Sequence, residues 1–283
     1  MRTPQSFRTN FSKPLVVAAA FLACESLHAT VLFEDGFNYA VGGLNATDVS
    51  PTGTSGNAWS SGSSRITVVS GNLTYNNLQD LGGNSIQDIW NGSAGSVVNT
   101  YTAQTSGNVY YSFLLNCAAA PSTTIYLTSL NPGTGAPNGS ADALQIDVGP
   151  NAGGFQVGLR TAGASVTLAP TVLSLNTTYL VVAEFSFGGT GTASLFLNPV
   201  VGGSQPTADV TLTGNGTVTS IADLGFKAQS STTATGTFLV DDTRVGTTWA
   251  DVTPIAAVPE PSTFAMAGLA LSGLALRFRR SRS

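Results

Sequence analysis

The sequence predicts an all-β domain, an antiparallel β-sandwich, set between two processing segments. Short apolar or alternating runs rich in Val, Ile, Thr, Tyr and Phe recur along the middle of the chain, and none is long enough, with a 3.6-residue period, to predict a helix. Gly-rich breakers such as Gly153-Gly154 and Gly202-Gly203 separate the runs. Regular short strands with such turns favour a sandwich or a barrel. The chain shows no repeat of fixed period, which argues against a propeller or a solenoid.

Apolar and polar residues alternate along the predicted strands, as expected when one face of a sheet packs on a core and the other faces water. In the run Tyr179–Phe187, Val181, Ala183 and Phe185 share one face, and Glu184 lies on the other. The other predicted strands are Arg65–Val69, Val109–Leu115, Thr124–Leu130, Leu144–Val148, Phe155–Leu159, Ser165–Leu168, Ala193–Leu197, Val210–Leu212 and Thr237–Val245.

Charge is distributed unevenly along the chain. The 11 Lys and Arg residues and 15 Asp and Glu residues give a formal net charge of -4. Between residues 30 and 254, however, only four cations, Arg65, Arg160, Lys227 and Arg244, accompany thirteen carboxylates, for a net charge of -9. Such a domain repels phosphate backbones, so nucleic acid is not an expected partner. Few charges and many Gly, Ser, Thr and Asn residues indicate an extracellular β-protein.

Residues 1–29 are predicted to be a secretory signal peptide. Arg2, Arg8 and Lys13 form a basic region, and the apolar run Leu15–Cys24 follows it. Ala29 is suited to the position just before cleavage.

Removal of the signal peptide limits the chemistry available to the mature chain. His28 is the only histidine and would be lost, and Cys117 would be the one remaining thiol. Ser-His-Asp and Cys-His catalysis and zinc or copper sites are therefore not expected. Because no intramolecular disulfide can form, the core must stabilise the domain. Lipidation at Cys24 remains a minor alternative.

Residues 255–283 have the order of a C-terminal processing signal. A Val-Pro-Glu-Pro-Ser-Thr motif at 258–263 precedes an apolar segment at 264–276 and an arginine-rich tail at 277–283. The apolar segment is shorter than the roughly 20 residues of a spanning helix, so it inserts marginally as a transmembrane segment. The arginines stay on the cytoplasmic side, which leaves Pro259-Glu260-Pro261 outside the membrane, open to a protease.

These three ordered parts closely resemble the PEP-CTERM sorting signal. The resemblance rests on Val258–Thr263, on the apolar segment and on Arg277–Arg280. It implies recognition by an exosortase, a membrane protease, in a Gram-negative bacterium that makes exopolysaccharide. The protein would be anchored transiently in the inner membrane on its way to the cell envelope or the exterior. A plain tail anchor is the alternative, but the two prolines would serve no purpose in it.

Three phrases in residues 30–254 resemble the concanavalin A-like, laminin-G-like jelly-roll modules of exported bacterial proteins. They are Phe33–Tyr39, Ser194–Pro199 and Val240–Trp249. The resemblance implies a jelly roll whose first and last strands lie side by side.

That adjacency would bring Glu34 and Asp35 close to Asp241 and Asp242. Carboxylates in such a group need a cation or a positive neighbour. Arg244 is two residues from Asp242 on the same strand face, which favours a salt bridge. Calcium, which oxygen ligands bind, is the other interpretation.

The middle segment carries no recognisable catalytic motif, so we expect a non-enzymatic module that binds or helps to build extracellular polysaccharide. Glucanases of concanavalin A-like fold resemble one another in a Glu-x-Asp-x-x-Glu strand, whereas Leu144–Val148 offers only Asp147, and Glu184 stands alone. Phe226-Lys227-Ala228 resembles part of a polysaccharide-lyase strand, without its His and Tyr partners. A hydrolase or lyase with a non-standard carboxylate site is the alternative.

Trp59 and Trp90 are the candidate carbohydrate-binding residues. Both lie beside Gly, Ser and Asn in loop-like stretches, where an exposed ring could stack on a sugar. The alternative is that each is a partly buried anchor beneath a loop.

Overall fold

The structure is a computed structural model that describes residues 31–256, apart from 51, 54–57, 61–63, 91–93, 134, 136, 138, 140–141, 215–216 and 229–234. The predicted signal peptide at 1–29 and the predicted motif Pro259-Glu260-Pro261 lie outside the described residues.

Strands dominate the described part of the chain, which contains one short helix. The elements are β1 (Val31–Asp35), β2 (Gly42–Gly43), β3 (Thr52–Gly53), β4 (Ile66–Val69), β5 (Ser85–Trp90), β6 (Gly95–Gln104), β7 (Asn108–Ala119), β8 (Ile125–Asn131), β9 (Leu144–Asn151), β10 (Gly154–Arg160), β11 (Thr167–Leu168), β12 (Thr178–Ser186), β13 (Thr192–Leu197), β14 (Val210–Thr213), β15 (Ile221–Ala228), β16 (Gly236–Gly246) and α1 (Trp249–Val252).

The strands form two antiparallel sheets that pack as a sandwich, as predicted. The larger sheet has the order β14-β13-β12-β7-β16-β5-β4-β2, with β1 added on β16 and β3 on β1. The smaller sheet has the order β11-β10-β9-β8-β15-β6. Side chains from both sheets share one apolar core, which includes Val181, Ala183 and Phe185 of β12 and Ile146 and Val148 of β9. The predicted inward face of β12 is therefore confirmed.

The outer face of the larger sheet is also apolar and is covered. Leu180 and Val182 of β12 point away from the main core and pack in a second cluster with Trp249 of α1. The helix is short but well capped, because Thr248 and Asp251 form a reciprocal capping box at its start. The cluster covers the part of this face that lies under α1.

The two ends of the domain pair with each other. β1 runs antiparallel to β16, with Glu34 opposite Arg244 and Asp35 opposite Thr243. The predicted adjacency of the first and last strands is confirmed.

Candidate functional site

The outer face of the smaller sheet carries polar side chains on four adjacent strands. In β9, Leu144, Ile146 and Val148 belong to the core, so the intervening Gln145 and Asp147 point outward. The neighbouring strands follow the same alternation. We call this set the polar face: Tyr126, Ser129 and Asn131 of β8, Gln145 and Asp147 of β9, Arg160 of β10, and Asp223 and Lys227 of β15.

The strand register places the central members of the polar face directly opposite one another. Asp147 lies opposite Tyr126 on one side and opposite Gly158 on the other. Gln145 lies opposite Ser129 and Arg160 in the same way. Directly opposed residues have Cβ atoms about 4.5–5.5 Å apart, so these side chains belong to one site.

A hydrogen-bonded chain links Arg160 to the carboxylate of Asp147. Arg160 Nη2 donates to Gln145 Oε1, and Gln145 Nε2 donates to the two carboxylate oxygens of Asp147 at 2.8 and 2.9 Å. Burial raises the pKa of Asp147 to about 6, and the charge of Arg160 and the bond from Gln145 oppose that rise. A carboxyl group that titrates there can accept a proton at neutral pH.

Tyr126 lies at the centre of a second network. Its hydroxyl donates to Asp142 Oδ2 and lies 2.5 Å from Ser129 Oγ. Asp142 is fixed from the loop side by the backbone N–H of Gly139 at 2.8 Å. Burial, followed by the charge of Asp142, raises the pKa of Tyr126 far above its ordinary value. The phenol therefore stays protonated, with its hydrogen directed at Asp142.

Lys227 adds a cation beside the phenol. Its Nζ lies 5.0 Å from the centroid of the Tyr126 ring and donates to the carbonyl of Pro137 at 2.8 Å. Burial lowers its pKa, and Asp142 opposes that change. The ring of Pro137 packs where Gly225 has no side chain, so the glycine lets this loop approach the sheet.

Asp223 completes the polar face opposite Asn131. It is fully buried, and neither carboxylate oxygen has a partner with normal hydrogen-bond geometry among the described residues. Burial raises its pKa to about 6, and interactions with Asn131 and with the backbone of Gly135 and Gly133 offset that rise only in part.

Exposure differs among these groups. Tyr126 and Asp147 are each 3% exposed, whereas Arg160 and Lys227 are half-buried. The two cations therefore form the accessible edge of the site, and the carboxyl and phenol lie beneath it.

The predicted carbohydrate-binding tryptophans lie elsewhere and are not exposed. Trp59 is 0% exposed, packs against Phe37 and Phe226, and donates from Nε1 to Asp35 at 2.9 Å. Trp90 is 3% exposed. Neither ring is available to stack on a sugar in this structure, because partners distant in sequence cover both.

The four candidate calcium ligands are divided among protein partners. Arg244 lies opposite Glu34 and has its Nη1 3.9 Å from Asp242 Oδ2, which confirms a cationic neighbour for these acids. Burial raises the pKa of Asp241 to about 8 and that of Asp242 to about 6. The described residues contain no group of three or more His, Cys, Asp or Glu residues arranged to hold a metal. Calcium binding stays a prediction.

The sorting motif is supported by comparison with known families. Residues 257–280 match the family model described as the PEP-CTERM protein-sorting motif. The chain therefore carries a signal for export, for transient anchoring through its C-terminal region and for processing by an exosortase, a membrane protease. No helix within the described ranges is long and apolar enough to cross a membrane. The chain matches no curated protein.

Solved structures share the sandwich at low sequence identity. An endo-β-1,4-glucuronan lyase from the fungus Trichoderma reesei is 13% identical, with 78% of this chain and 100% of that chain covered and a TM-score of 0.46. A mutant of alginate lyase Aly36B with bound alginate tetrasaccharide is 12% identical, with 78% and 98% covered and a TM-score of 0.48. The T. cruzi calreticulin globular domain is 10% identical, with 79% and 91% covered and a TM-score of 0.47. At this identity the likeness shows the fold alone.

These structures correct the prediction that the domain is not an enzyme. That prediction rested on the missing Glu-x-Asp-x-x-Glu strand and on the loss of the single histidine. Solved structures of a glucuronan lyase and an alginate lyase share this sandwich. The prediction is therefore wrong, and the absence of those two motifs does not exclude catalysis. The narrower likeness to concanavalin A-like and laminin-G-like modules stays a prediction.

Proposed function

We propose that the exported domain is a glycan-cleaving enzyme that acts on an acidic polysaccharide in the envelope of a Gram-negative bacterium. One observation carries the proposal: two of the four cations between residues 30 and 254, Arg160 and Lys227, lie on the polar face beside Tyr126 and Asp147. Of the other two, Arg244 is fully buried against its own acids. A domain with a net charge of -9 would repel a polyanion over most of its surface, so the polar face is the favoured place for one to bind.

The chemistry of the four groups suits β-elimination on a uronic acid. Arg160 and Lys227 would hold the sugar carboxylate, which makes the hydrogen on the adjacent carbon more acidic. The carboxylate of Asp147 would remove that proton, and the electron pair would form a carbon–carbon double bond as the glycosidic C–O bond breaks. Tyr126 would donate its proton to the departing glycosidic oxygen. Before the next cycle Asp147 would release its proton to solvent and the phenolate of Tyr126 would take one up, which restores the hydrogen bond from the phenol to Asp142.

The test is cleavage of defined polysaccharides by the purified secreted domain. Uronic acid polymers and neutral glucans are compared, and the new double bond is followed by its ultraviolet absorbance. Asp147→Asn and Tyr126→Phe should each lower the rate by about 10²–10⁴-fold, the usual contribution of a general acid or base. The rate should also fall as the pH drops below about 6, because Asp147 must be ionised to accept a proton.

A matched control lies on the outer face of the larger sheet. Glu184→Gln removes a buried carboxylate of β12 that accepts a hydrogen bond from Gln205 at 2.6 Å. It should leave the rate within about twofold of the parent, because it lies on the other sheet. Equal losses in Glu184→Gln and Asp147→Asn, or full activity in Asp147→Asn, would contradict the proposal.

A further inference from the structure

The chain is held to the domain surface up to the last described residue. Ile255 forms an isolated antiparallel bridge with Leu78. The backbone N–H of Ala256 donates to the carbonyl of Asn77 at 2.9 Å. The segment that leads to the sorting motif therefore leaves from a fixed point on the fold.

Two exposed apolar side chains flank this exit point. Val200 is 79% exposed and Ile255 is 58% exposed, and they are two of the five large hydrophobic side chains that are exposed in the described part of the chain. A cavity of about 190 Å³ lies beside Val200, and its lining also includes Tyr75, Asn77 and Asn198. Asn77 belongs to this lining and also accepts the hydrogen bond from the departing chain. We call Tyr75, Asn77, Asn198, Val200 and Ile255 the exit surface.

The covalent reach of the chain places the processing site next to the exit surface. The matched sorting motif begins at residue 257, immediately after Ala256. An extended chain spans at most about 3.3–3.6 Å per residue, so Pro259 lies no more than about 11 Å from Ala256. A protease that encloses Pro259-Glu260-Pro261 in its groove must bring its own surface against this part of the domain.

We propose that the exit surface is a docking surface for the membrane protease that processes the sorting motif. The partner's complementary patch would be uncharged, because the five residues of the exit surface carry no charge, and it would place apolar groups against Val200 and Ile255. An anionic lipid headgroup is a poorer match, since none of these residues offers a cation. Docking would hold the motif at the protease without requiring strong binding of the short motif itself.

The test follows processing of the full chain in cells that contain the protease, as the rate at which the membrane-bound precursor is converted. Val200→Asp and Ile255→Asp place a charge in the apolar contact and should each slow conversion by about tenfold, which corresponds to about 1.4 kcal/mol. Val172→Asp is the matched control, because Val172 is another exposed valine, at 47%, on a different part of the chain. It should be processed like the parent. Thermal unfolding of the exported domains checks that all variants are folded.

A second variant distinguishes docking from simple obstruction. A flexible Gly-Ser linker inserted after Ala256 moves the motif away from the exit surface and should slow processing, because the docked domain no longer places the motif in the groove. Faster processing with the linker would mean that the domain is an obstacle and would overturn the proposal. Parental processing rates for Val200→Asp and Ile255→Asp would also overturn the proposal. If these two variants keep parental rates but lose binding to anionic vesicles, the surface binds lipid instead of the protease. An equal slowing in Val172→Asp would show that the effect is not specific to the exit surface.

Discussion

The two sheets share a core, but different kinds of side chain are buried on their outer faces. On the larger sheet, Leu180 and Val182 meet Trp249 from α1, so the outer face becomes a second apolar cluster. On the smaller sheet the corresponding face buries Asp147 and Asp223, whose pKa values burial raises to about 6. Apolar burial stabilises a fold by roughly 25 cal/mol per Å², whereas burial of an ionisable group opposes folding. The larger sheet also buries carboxyls, since burial raises the pKa of Asp241 to about 8. The polar face differs because it groups its carboxyls with two cations and a phenol, which is expected of a site that performs chemistry.

The largest test of this contrast is Trp249→Ala. The indole ring packs edge-on against Phe196 at 5.1 Å and Tyr110 at 6.2 Å between centroids, so its removal opens the apolar cluster. We expect the free energy of unfolding of the secreted domain to fall by about 3–5 kcal/mol in urea denaturation. Tyr126→Phe on the polar face should cost less, about 1.5–3 kcal/mol, because the hydrogen bond that it removes is made to the carboxylate of Asp142. Equal costs would show that the two faces contribute alike to stability.

The fold could be predicted from sequence because its signals are local. Alternation in the run Tyr179–Phe187 gave the inward face of β12, and Gly pairs marked many of the turns. The polar face could not be predicted in the same way, because β8, β9, β10 and β15 each contribute only one to three of its residues. Gln145 and Asp147 look like the solvent side of an ordinary strand until the neighbouring strands bring Arg160 and Tyr126 beside them.

The burial of the tryptophans could not be predicted from their local sequence either. Trp59 follows a Gly- and Ser-rich stretch, which is typical of an exposed loop. Its burial depends on Asp35 and Phe226, which lie far from it along the chain and become neighbours only in the folded sandwich. Two sequence signals point to the polar face. One is the scarcity of cations, with Arg160 and Lys227 among four between residues 30 and 254, and the other is the lyase-like phrase Phe226-Lys227-Ala228.

The next test measures how much the burial of the Asp223 carboxyl lowers the free energy of unfolding. In the unfolded chain it titrates near its ordinary value of 3.8, and in the folded domain near 6. The folded state therefore holds the proton more tightly, so stability is full below pH about 4, falls as pH rises to about 6, and stays lower above that. Asp223→Asn removes this loss and should raise the free energy of unfolding at pH 8 by about 1–3 kcal/mol, at about 1.4 kcal/mol per pKa unit, with little gain at pH 4.

Asp241 provides the contrasting carboxyl in the larger sheet. Its two oxygens accept the backbone N–H groups of Leu73 and Asp242, each at 2.8 Å. An asparagine there would turn an amide N–H₂ toward a donor, so Asp241→Asn should destabilise the domain at pH 8 although burial also raises the pKa of Asp241. If Asp241→Asn instead raises the free energy of unfolding as much as Asp223→Asn does, the hydrogen bonds of Asp241 do not make its carboxyl different from that of Asp223.

The smallest expected effect is on substrate binding at the edge of the polar face. Arg160→Gln keeps a polar side chain that can still donate to Gln145 but removes the charge that would pair with a sugar carboxylate. A charge-assisted hydrogen bond contributes about 1.5–3 kcal/mol, so KM for a uronic acid polymer should rise about tenfold or more, while KM for a neutral glucan, if any is cleaved, should stay unchanged. Arg65→Gln is the matched control, because it removes the same charge just before β4 in the larger sheet. If both variants raise KM equally, the net charge of the domain governs attraction of the polyanion. If only Arg160→Gln does so, and the difference shrinks at high salt, the cation acts from the polar face itself.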